Sequence, residues 1–420
     1  MFDKDNWQEI ISALSKNKLR SFLTAFGVFW GIFMLIIMLG SGNGLRNGVS
    51  QDMGDYATNS MFLWSQRTSI PYKGFVRGRW FWLKTDDVQA IYDNVPEAKI
   101  VSPRNQLGGW RGGNNVTRGL KTGAFGVYGD NPEYNQIEPK NIVQGRFINQ
   151  LDIEQKRKVA VIGEAVYIYL FEPGEDPINQ YIMVNGVYFK VIGMYKSKKK
   201  GEDAIEDTQS LSVPFTTFQQ AFNYGENLGW MALLSQPDVK VSEMEQKVIA
   251  LLKERHTVHP DDTRAFGTEN LEEQFGRLSN LFLAIKLLSF FVGILTLFAG
   301  VIGISNIMLV VVKERTKEIG IRRALGATPF NIIQQIMLEA ATLTTIAGMA
   351  GLVFGVWLLE IISTLLTKFE MDTGSFAQPE VDISVALIAL LILVVSGLLA
   401  GIIPAQRAVQ IKPVDAIREE

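Results

Sequence analysis

Cysteine is absent from all 420 residues, which excludes intrachain disulfides and thiolate chemistry, and histidine occurs only twice. No G-x-x-x-x-G-K-[ST] loop occurs, so the phosphate cradle by which such a motif holds a nucleotide is missing. A formal net charge of −2 gives no general electrostatic pull toward nucleic acid. The long apolar runs carry no charged residue near their middles, which argues against a proton or ion relay through them.

Four apolar runs are present: Phe22–Leu39, Leu287–Val312, Ile336–Leu359 and Ile383–Ile403. Each is long enough to cross the hydrocarbon core, which takes roughly 20 helical residues. The chain therefore reads as a membrane α-helical protein with four transmembrane helices. The first run follows a polar arm and continues at full spanning length, so it is expected to remain as an anchor and not to be cleaved.

Basic residues set the expected orientation, because Lys and Arg of short loops are retained in the cytosol. They cluster in the N-terminal arm (Lys4, Lys16, Lys18, Arg20), in the connector between the second and third runs (Lys313, Arg315, Lys317, Arg322, Arg323), and in the tail (Arg407, Lys412, Arg418). The segment between the third and fourth runs has Lys368 against Glu370, Asp372 and Glu380. Both termini and the connector are thus expected in the cytosol, and Leu45–Arg277 outside it.

The outer segment patterns as mixed α and β. Tyr181–Tyr195 holds two apolar, β-favouring runs around Asn185-Gly186, the pair best suited to a tight hairpin turn. Lys158–Gly163 and Leu211–Pro214 read as strands, with helices over Glu164–Leu170, around Thr217–Phe222, and over Val241–Arg255, whose apolar residues recur at helical spacing. Lys196–Gln209, a basic cluster followed by an acidic one, reads as a solvated loop. Gly44–Met53 and the series Leu271, Phe275, Leu278, Phe282, Ile285 suggest the two helical legs of a stalk. In the N-terminal arm Trp7, Ile10, Ile11 and Leu14 describe an amphipathic helix, lying on the inner headgroup layer or packed on the span ends.

The expected layout is a cytosolic amphipathic helix (1–20), first span (21–41), stalk helices with a large α+β extracytoplasmic domain (42–280), second span (281–312), coupling segment (313–328), third span (329–366), short external loop (367–382), fourth span (383–404) and cytosolic tail (405–420).

The densest signal is the connector, Lys313–Pro329. It reads as a helix from Glu314 onward, with Ile321, Ala324 and Leu325 on one side and Glu318 and Arg322 paired four apart. Gly326 supplies a stop, and Thr328 with Pro329 fits the start of the next helix. A topogenic anchor needs only positive charge. An apolar stripe, defined stops and two acids, Glu314 and Glu318, point instead to docking in a protein groove.

Residues Asn306–Ala327, NIMLVVVKERTKEIGIRRALGA, resemble the signature of the MacB-like (macrolide-exporter type) ABC transporter permeases, whose superfamily includes FtsX and the lipoprotein-releasing permeases. The likeness continues in Asn17–Thr24 with Gly42–Arg46, in Gly145–Tyr195, and in Pro404–Arg418. It implies a non-catalytic membrane subunit whose connector, Glu314, Arg315, Thr316, Lys317, Glu318, Ile319, Gly320, Ile321, Arg322, Arg323, Ala324, Leu325, Gly326 and Ala327, contacts a cytosolic ABC ATPase.

On this resemblance ATP and Mg are bound by the partner, with no cofactor on this chain, and the ATPase is expected on a separate polypeptide. Motion would pass through spans and stalk to the outer domain, a mechanism called mechanotransmission, serving export or extraction of substrate. An FtsX-like activation of an extracellular enzyme and lipoprotein release are the alternatives. A second permease copy or paralogue is the expected neighbour in the bacterial inner membrane, and a periplasmic adaptor with an outer-membrane duct remains open.

Other candidates are weaker. His256 and His259 form H-x-x-H without a third ligand and read as loop or strand edge. Gly27/Gly31, Gly351/Gly355 and Gly397/Gly401 form G-x-x-x-G pairs, which permit close helix packing within one subunit or at a dimer seam. Lys286 and Glu339 lie near span ends, from which long side chains reach headgroups. Of Trp64, Tyr72, Phe75, Trp80, Phe81 and Trp82, interleaved with Arg67, Lys73, Arg77 and Arg79, some are expected in the core, and a partner or substrate surface is the alternative reading for the stretch.

Overall fold

The computed structural model describes residues 18–52, 56–108, 113, 115–197, 201–368, 376, 379–381 and 383–411. Trp7, Ile10, Ile11 and Leu14, most of the loop expected at 367–382 and most of the tail expected at 405–420 lie outside the described residues. The chain divides into two compact units, residues 50–280 and residues 1–49 with 281–420.

In the 50–280 unit, strand Ala98–Leu107 belongs to two sheets at once. On one side it pairs antiparallel with Trp230–Ser235, which pairs with Ser60–Ser65 and then Phe266–Asn270. On the other its last residues pair with Gly126–Asp130, which leads through Ser210–Pro214 and Val159–Gly163 to the hairpin Tyr181–Val184 and Val187–Lys196. Asn185 and Gly186 make that hairpin's turn with φ of +43° and +85°, the left-handed pair that matches strand twist. Each sheet buries its own core. Helix Val241–Arg255 lays Val241, Met244, Val248 and Leu252 against Met61, Leu63, Met231 and Leu233. Around the hairpin, Phe189, Val191, Ile162, Val213 and Phe218 form a second cluster. Burial of each such side chain is worth about 1.5–3 kcal/mol before entropy is counted.

Where the sheets meet, the core is ionic. Arg104, buried on the shared strand, donates from Nε to Asp130 Oδ1 at 2.6 Å and from Nη1 to the Tyr134 hydroxyl. Ser212 donates to the other Asp130 oxygen at 2.6 Å, and Tyr134 donates to Glu138 Oε2 at 2.6 Å. Lys140 closes the chain on Glu138 Oε1 at 2.5 Å. Burial pushes the Glu138 carboxyl up, but Lys140 and Arg104 outweigh it and hold its pKa at about 2.

The stretch Lys196–Gln209 differs from expectation, since Gly201–Thr208 is helical. Its charges mask one helical face: Thr208 is buried, donates to the Ala204 carbonyl at 2.6 Å and accepts from the Ala165 amide at 3.3 Å. The Tyr195 hydroxyl adds a bond to the Asp207 carbonyl at 3.3 Å.

Among the described residues, four helices are long and apolar enough to cross a membrane: Ala25–Val49, Leu271–Glu314, Pro329–Leu366 and Leu391–Val409. The two legs expected of a stalk belong to the same helices as their spans, within Lys18–Asp52 and Leu271–Glu314. The six G-x-x-x-G glycines each stand against a helix of the same chain. A Cβ on Gly27 would meet Gly300 Cα at 3.9 Å, and one on Gly31 would meet Thr296 at 3.4 Å. On Gly351 and Gly355 it would press on the Phe29 carbonyl oxygen at 2.4 Å and on Ile36 at 2.9 Å. Gly397 and Gly401 face Ala341 at 2.9 Å and Met337 at 3.0 Å. Spans one and two, one and three, and three and four are thus drawn together by missing side chains. Leu287, Phe291, Phe298 and Leu391 remain exposed on the helix exteriors, where hydrocarbon would solvate them.

Gly351→Ala is expected to destabilise the purified chain by about 1–3 kcal/mol, because the clash is with backbone. Gly303→Ala, which meets nothing within 4 Å, should leave thermal unfolding in detergent unchanged or slightly raised. For Glu138 the folded pKa lies below its ordinary value of 4.5, so its contribution is complete above that value and is lost as pH falls toward about 2. Denaturant titrations across this window should show a loss of up to about 3 kcal/mol that is absent from the Glu138→Gln variant.

Candidate functional site

The connector begins with a break in a helix. The helix of the second span ends at Glu314, Arg315 sits at φ −100° and ψ 16°, and a nine-residue helix follows over Thr316–Ala324. Thr316 turns its hydroxyl back on the carbonyls of Val312 (3.3 Å) and Lys313 (2.8 Å), a side-chain bond that bends helices. At the far end Gly326 takes φ +101°, a conformation glycine reaches without a Cβ penalty. The Thr328 hydroxyl then accepts the Asn331 amide at 3.3 Å, and Pro329 opens the helix of the third span.

Arg315, Ile319 and Arg322 recur four and three apart, which puts them on one face. Arg315 Nη1 lies 3.2 Å from Glu339 Oε1. Arg322 donates from Nη1 to Gln335 Oε1 at 2.8 Å, while its Nη2 holds Glu318 at 2.8 Å. Between the arginines, Ile319 is buried in a cluster with Ile332 and Ile336 of the third span. Arg323 donates to the carbonyls of Val409 (2.6 Å) and Ile411 (2.7 Å), satisfying acceptors at the end of the fourth helix.

Between connector and third span lies a cavity of about 30 Å³, lined among others by Arg315, Ile319, Ile332, Ile336 and Glu339. That is room for two or three waters at ~10–15 Å³ each, and far from the ~300 Å³ a solute needs. This place is a joint, not a binding pocket.

The other face is open. Glu314, Lys317, Glu318, Ala324 and Gly326 are exposed, and so are Ile321 at 44% and Leu325 at 83%. Gly320 is buried, while Thr316 and Ala327 are half-buried. Among the described residues, the stripe Ile321, Ala324, Leu325 is therefore not consumed by packing.

One expectation is corrected here. Glu339 does not extend to headgroups: it is 8% exposed and held by Arg315. It lies ten residues past Pro329, about 15 Å along the helix, and the connector's arginine comes to meet it. Lys286 is exposed. Sequence reasoning missed Gln335 and Glu339 as partners of the connector, although an amide and an acid four apart on one face of an apolar helix, facing arginines seven apart, carried the signal.

Away from the connector, His256 Nε2 lies 2.7 Å from Asp87 Oδ2, beside Arg255 at 2.7 Å from Oδ1. Burial raises the Asp87 pKa, but bonds from His256 and Arg255 hold it below the ordinary value. His259 packs edge-on against Tyr72, and no metal-ligating cluster exists among the described residues. In the aromatic stretch Phe81 enters the core, Trp64 lies on a strand, and Phe75, Trp80 and Trp82 remain exposed. Arg79 stacks on Phe75 at 4.0 Å and donates to the His256 carbonyl at 2.6 Å.

Comparison with known proteins agrees with this architecture. Residues 21–251 match the MacB-like periplasmic core domain, and residues 290–413 match the FtsX-like permease C-terminal family. A pyoverdine export ATP-binding/permease protein, PvdT, of Pseudomonas entomophila is 28% identical over 99% of this chain and 61% of its own length. The macrolide export ATP-binding/permease protein MacB of Bdellovibrio bacteriovorus is 29% identical over 97% of this chain and 60% of its own. The chain thus spans about three fifths of the length of these curated relatives. The crystal structure of the periplasmic region of MacB from Actinobacillus actinomycetemcomitans covers 54% of this chain and 94% of its own, at 21% identity and a TM-score of 0.42. At that score the likeness adds nothing to the family match. With more than half of its length matched by the periplasmic core model and its last three spans by the permease model, the chain belongs to the family of MacB-like ABC transporter permeases.

Proposed function

We propose that this chain is the membrane part of an ABC exporter and that its connector helix is where a cytosolic ABC ATPase docks. The observation that carries the reading is the connector's open face. Ile321 and Leu325 stand exposed beside Glu314, Lys317 and Glu318 while the opposite face is fixed to the spans. Exposed apolar residues at helical spacing, rimmed by charge, suit a groove on a partner protein. ATP and Mg belong to that partner, and ATP binding would draw two connectors together.

The basic residues around the connector support a cytosolic position for it, and so an extracytoplasmic position for the 50–280 unit, in the inner membrane of a bacterium. A helix is stiff over tens of ångströms, so motion at the connector would reach the outer unit along Leu271–Glu314 and Lys18–Asp52. Four spans leave little room for a solute channel in one copy, which favours a pair of copies or paralogues. Work on a substrate at the outer side, as the names of the PvdT and MacB relatives suggest for export, fits this arrangement. An adaptor and an outer duct would extend the path.

Replacing Ile321 and Leu325 by Asp should reduce the ABC ATPase that co-purifies with the chain at least tenfold, as expected when two apolar anchors of about 1.5–3 kcal/mol each are lost. Thermal unfolding should be unchanged because neither side chain is buried here. Undiminished co-purification would end the docking reading. In proteoliposomes, ATP-dependent movement of substrate supports export, whereas ATP-dependent activation of a bound outer enzyme without movement would replace it with signalling.

A further inference from the structure

We infer that the segment Gln66–Trp82 of the 50–280 unit is a docking arm for a partner protein, and that the surface it takes is an apolar groove rimmed by acidic residues. The inference concerns a different face of the molecule from the connector and stands apart from the ATPase reading.

The arm is built to hold its shape. Lys73 and Gly74 make a tight turn with φ of +45° and +87°, closed by the Tyr72 amide on the Phe75 carbonyl at 3.1 Å and by the reverse bond at 2.9 Å. Nearer the sheet, the Thr68 amide donates to the Arg79 carbonyl at 3.0 Å and the Gly78 amide to the Thr68 carbonyl at 2.8 Å. Buried Asp262 fastens the outgoing side, accepting from the Ser69 amide at 2.6 Å, the Ser69 hydroxyl at 2.7 Å and the Ile70 amide at 3.1 Å. Arg79 fastens the returning side, donating to the carbonyls of His256 at 2.6 Å and Thr257 at 3.1 Å. A segment tied down on both sides has little freedom left to lose on binding, which lowers the cost of association.

What the arm shows outward is apolar and basic. Phe75, Trp80 and Trp82 are exposed, and Val76, just past the turn, is 75% exposed. Aromatic residues and Arg are the types enriched where proteins meet. Between Gln66 and Trp82 the sequence carries Arg67, Lys73, Arg77 and Arg79 and no acidic residue. Arg79 is spent on its two carbonyls, whereas Arg67, Lys73 and Arg77 are exposed and, among the described residues, make no ion pair. Of the two acids in the loop His256–Arg264 beneath the arm, Asp262 is buried and Asp261 is exposed. Three open cations beside exposed aromatics call for a surface of negative potential with apolar ground between its charges.

The position of the arm favours a protein over the chain's own bilayer as that surface. Met61 faces Asn270 and Ser65 faces Phe266, so the arm leaves the sheet about 13 Å, four residues at ~3.3 Å each, from the point where the chain enters the helix at Leu271. It starts at the end of the sheet opposite that helix.

The test uses the full chain in membranes of its own cell, with the photoreactive residue p-benzoyl-phenylalanine placed at Val76. Tyr188, exposed on the hairpin of the other sheet, is the control position. Illumination should give a protein adduct at position 76 and not at 188, and the peptide joined to it should carry acidic residues beside apolar ones. Lys73→Glu/Arg77→Glu should cut the adduct at least fivefold, and Lys73→Gln/Arg77→Gln less. Thermal unfolding should be unchanged, since both side chains are exposed. Replacing the acids of the joined peptide by Lys should bring the adduct of the charge-reversed chain back toward the wild-type yield, an outcome that a chance neighbour cannot produce. Adducts with lipid alone, a joined peptide without acids, a yield no higher than at Tyr188, or a yield indifferent to charge reversal each overturns the inference.

Discussion

A short helix can present different residues to different neighbours only if its two faces are chemically distinct, and the connector meets that constraint within the eleven residues from Arg315 to Leu325. Arg315, Ile319 and Arg322 face the spans, and Ile321 and Leu325 face away. If the inward face were merely apolar, it could slide along the third span, since hydrophobic contact is not directional. The ion pair at Glu339 and the amide contact at Gln335 fix one register, as polar groups within apolar interfaces do elsewhere. Ile321 and Leu325 are exposed among the described residues, so their chemistry is not set by the register of the inward face.

The membrane helices follow a related logic at closer range. Hydrophobic burial does not drive helices together in lipid, so fit has to come from backbone approach. Gly351 against the Phe29 carbonyl and Gly397 against Ala341 supply it. In the 50–280 unit, by contrast, water drives two apolar clusters inward, and the awkward place is the line where the sheets share a strand. There Arg104, Asp130, Tyr134, Glu138 and Lys140 satisfy one another, a network whose members all have partners and which therefore specifies one arrangement.

Much of this was legible in the sequence, for physical reasons. Uninterrupted apolar length announces a span, Asn185-Gly186 announces a two-residue turn, and Val241–Arg255 shows its buried face through spacing alone. The helix Gly201–Thr208 was hidden because the residue that ties it down is Thr208, which has little apolar signal, among charges that read as solvated. In the connector the helix, its stops and the Glu318–Arg322 pair could be read locally. Its partner contacts could not, since Glu339 lies 24 residues beyond Arg315 and its nearness depends on how two helices pack. The same holds for the glycines: a spacing of four marks a close approach but does not say to which helix.

The strand order of the 50–280 unit has a consequence for its biogenesis. Ser60–Ser65 pairs with Trp230–Ser235 and Phe266–Asn270, segments made long after it. At synthesis rates of about 5–20 residues per second, the first strand waits roughly 10–30 s for its first neighbour. Its second neighbour ends at Asn270, immediately before the helix that enters the second span. Completion of that sheet therefore coincides with arrival of the next membrane segment, and the half-made domain must be kept from aggregating until then.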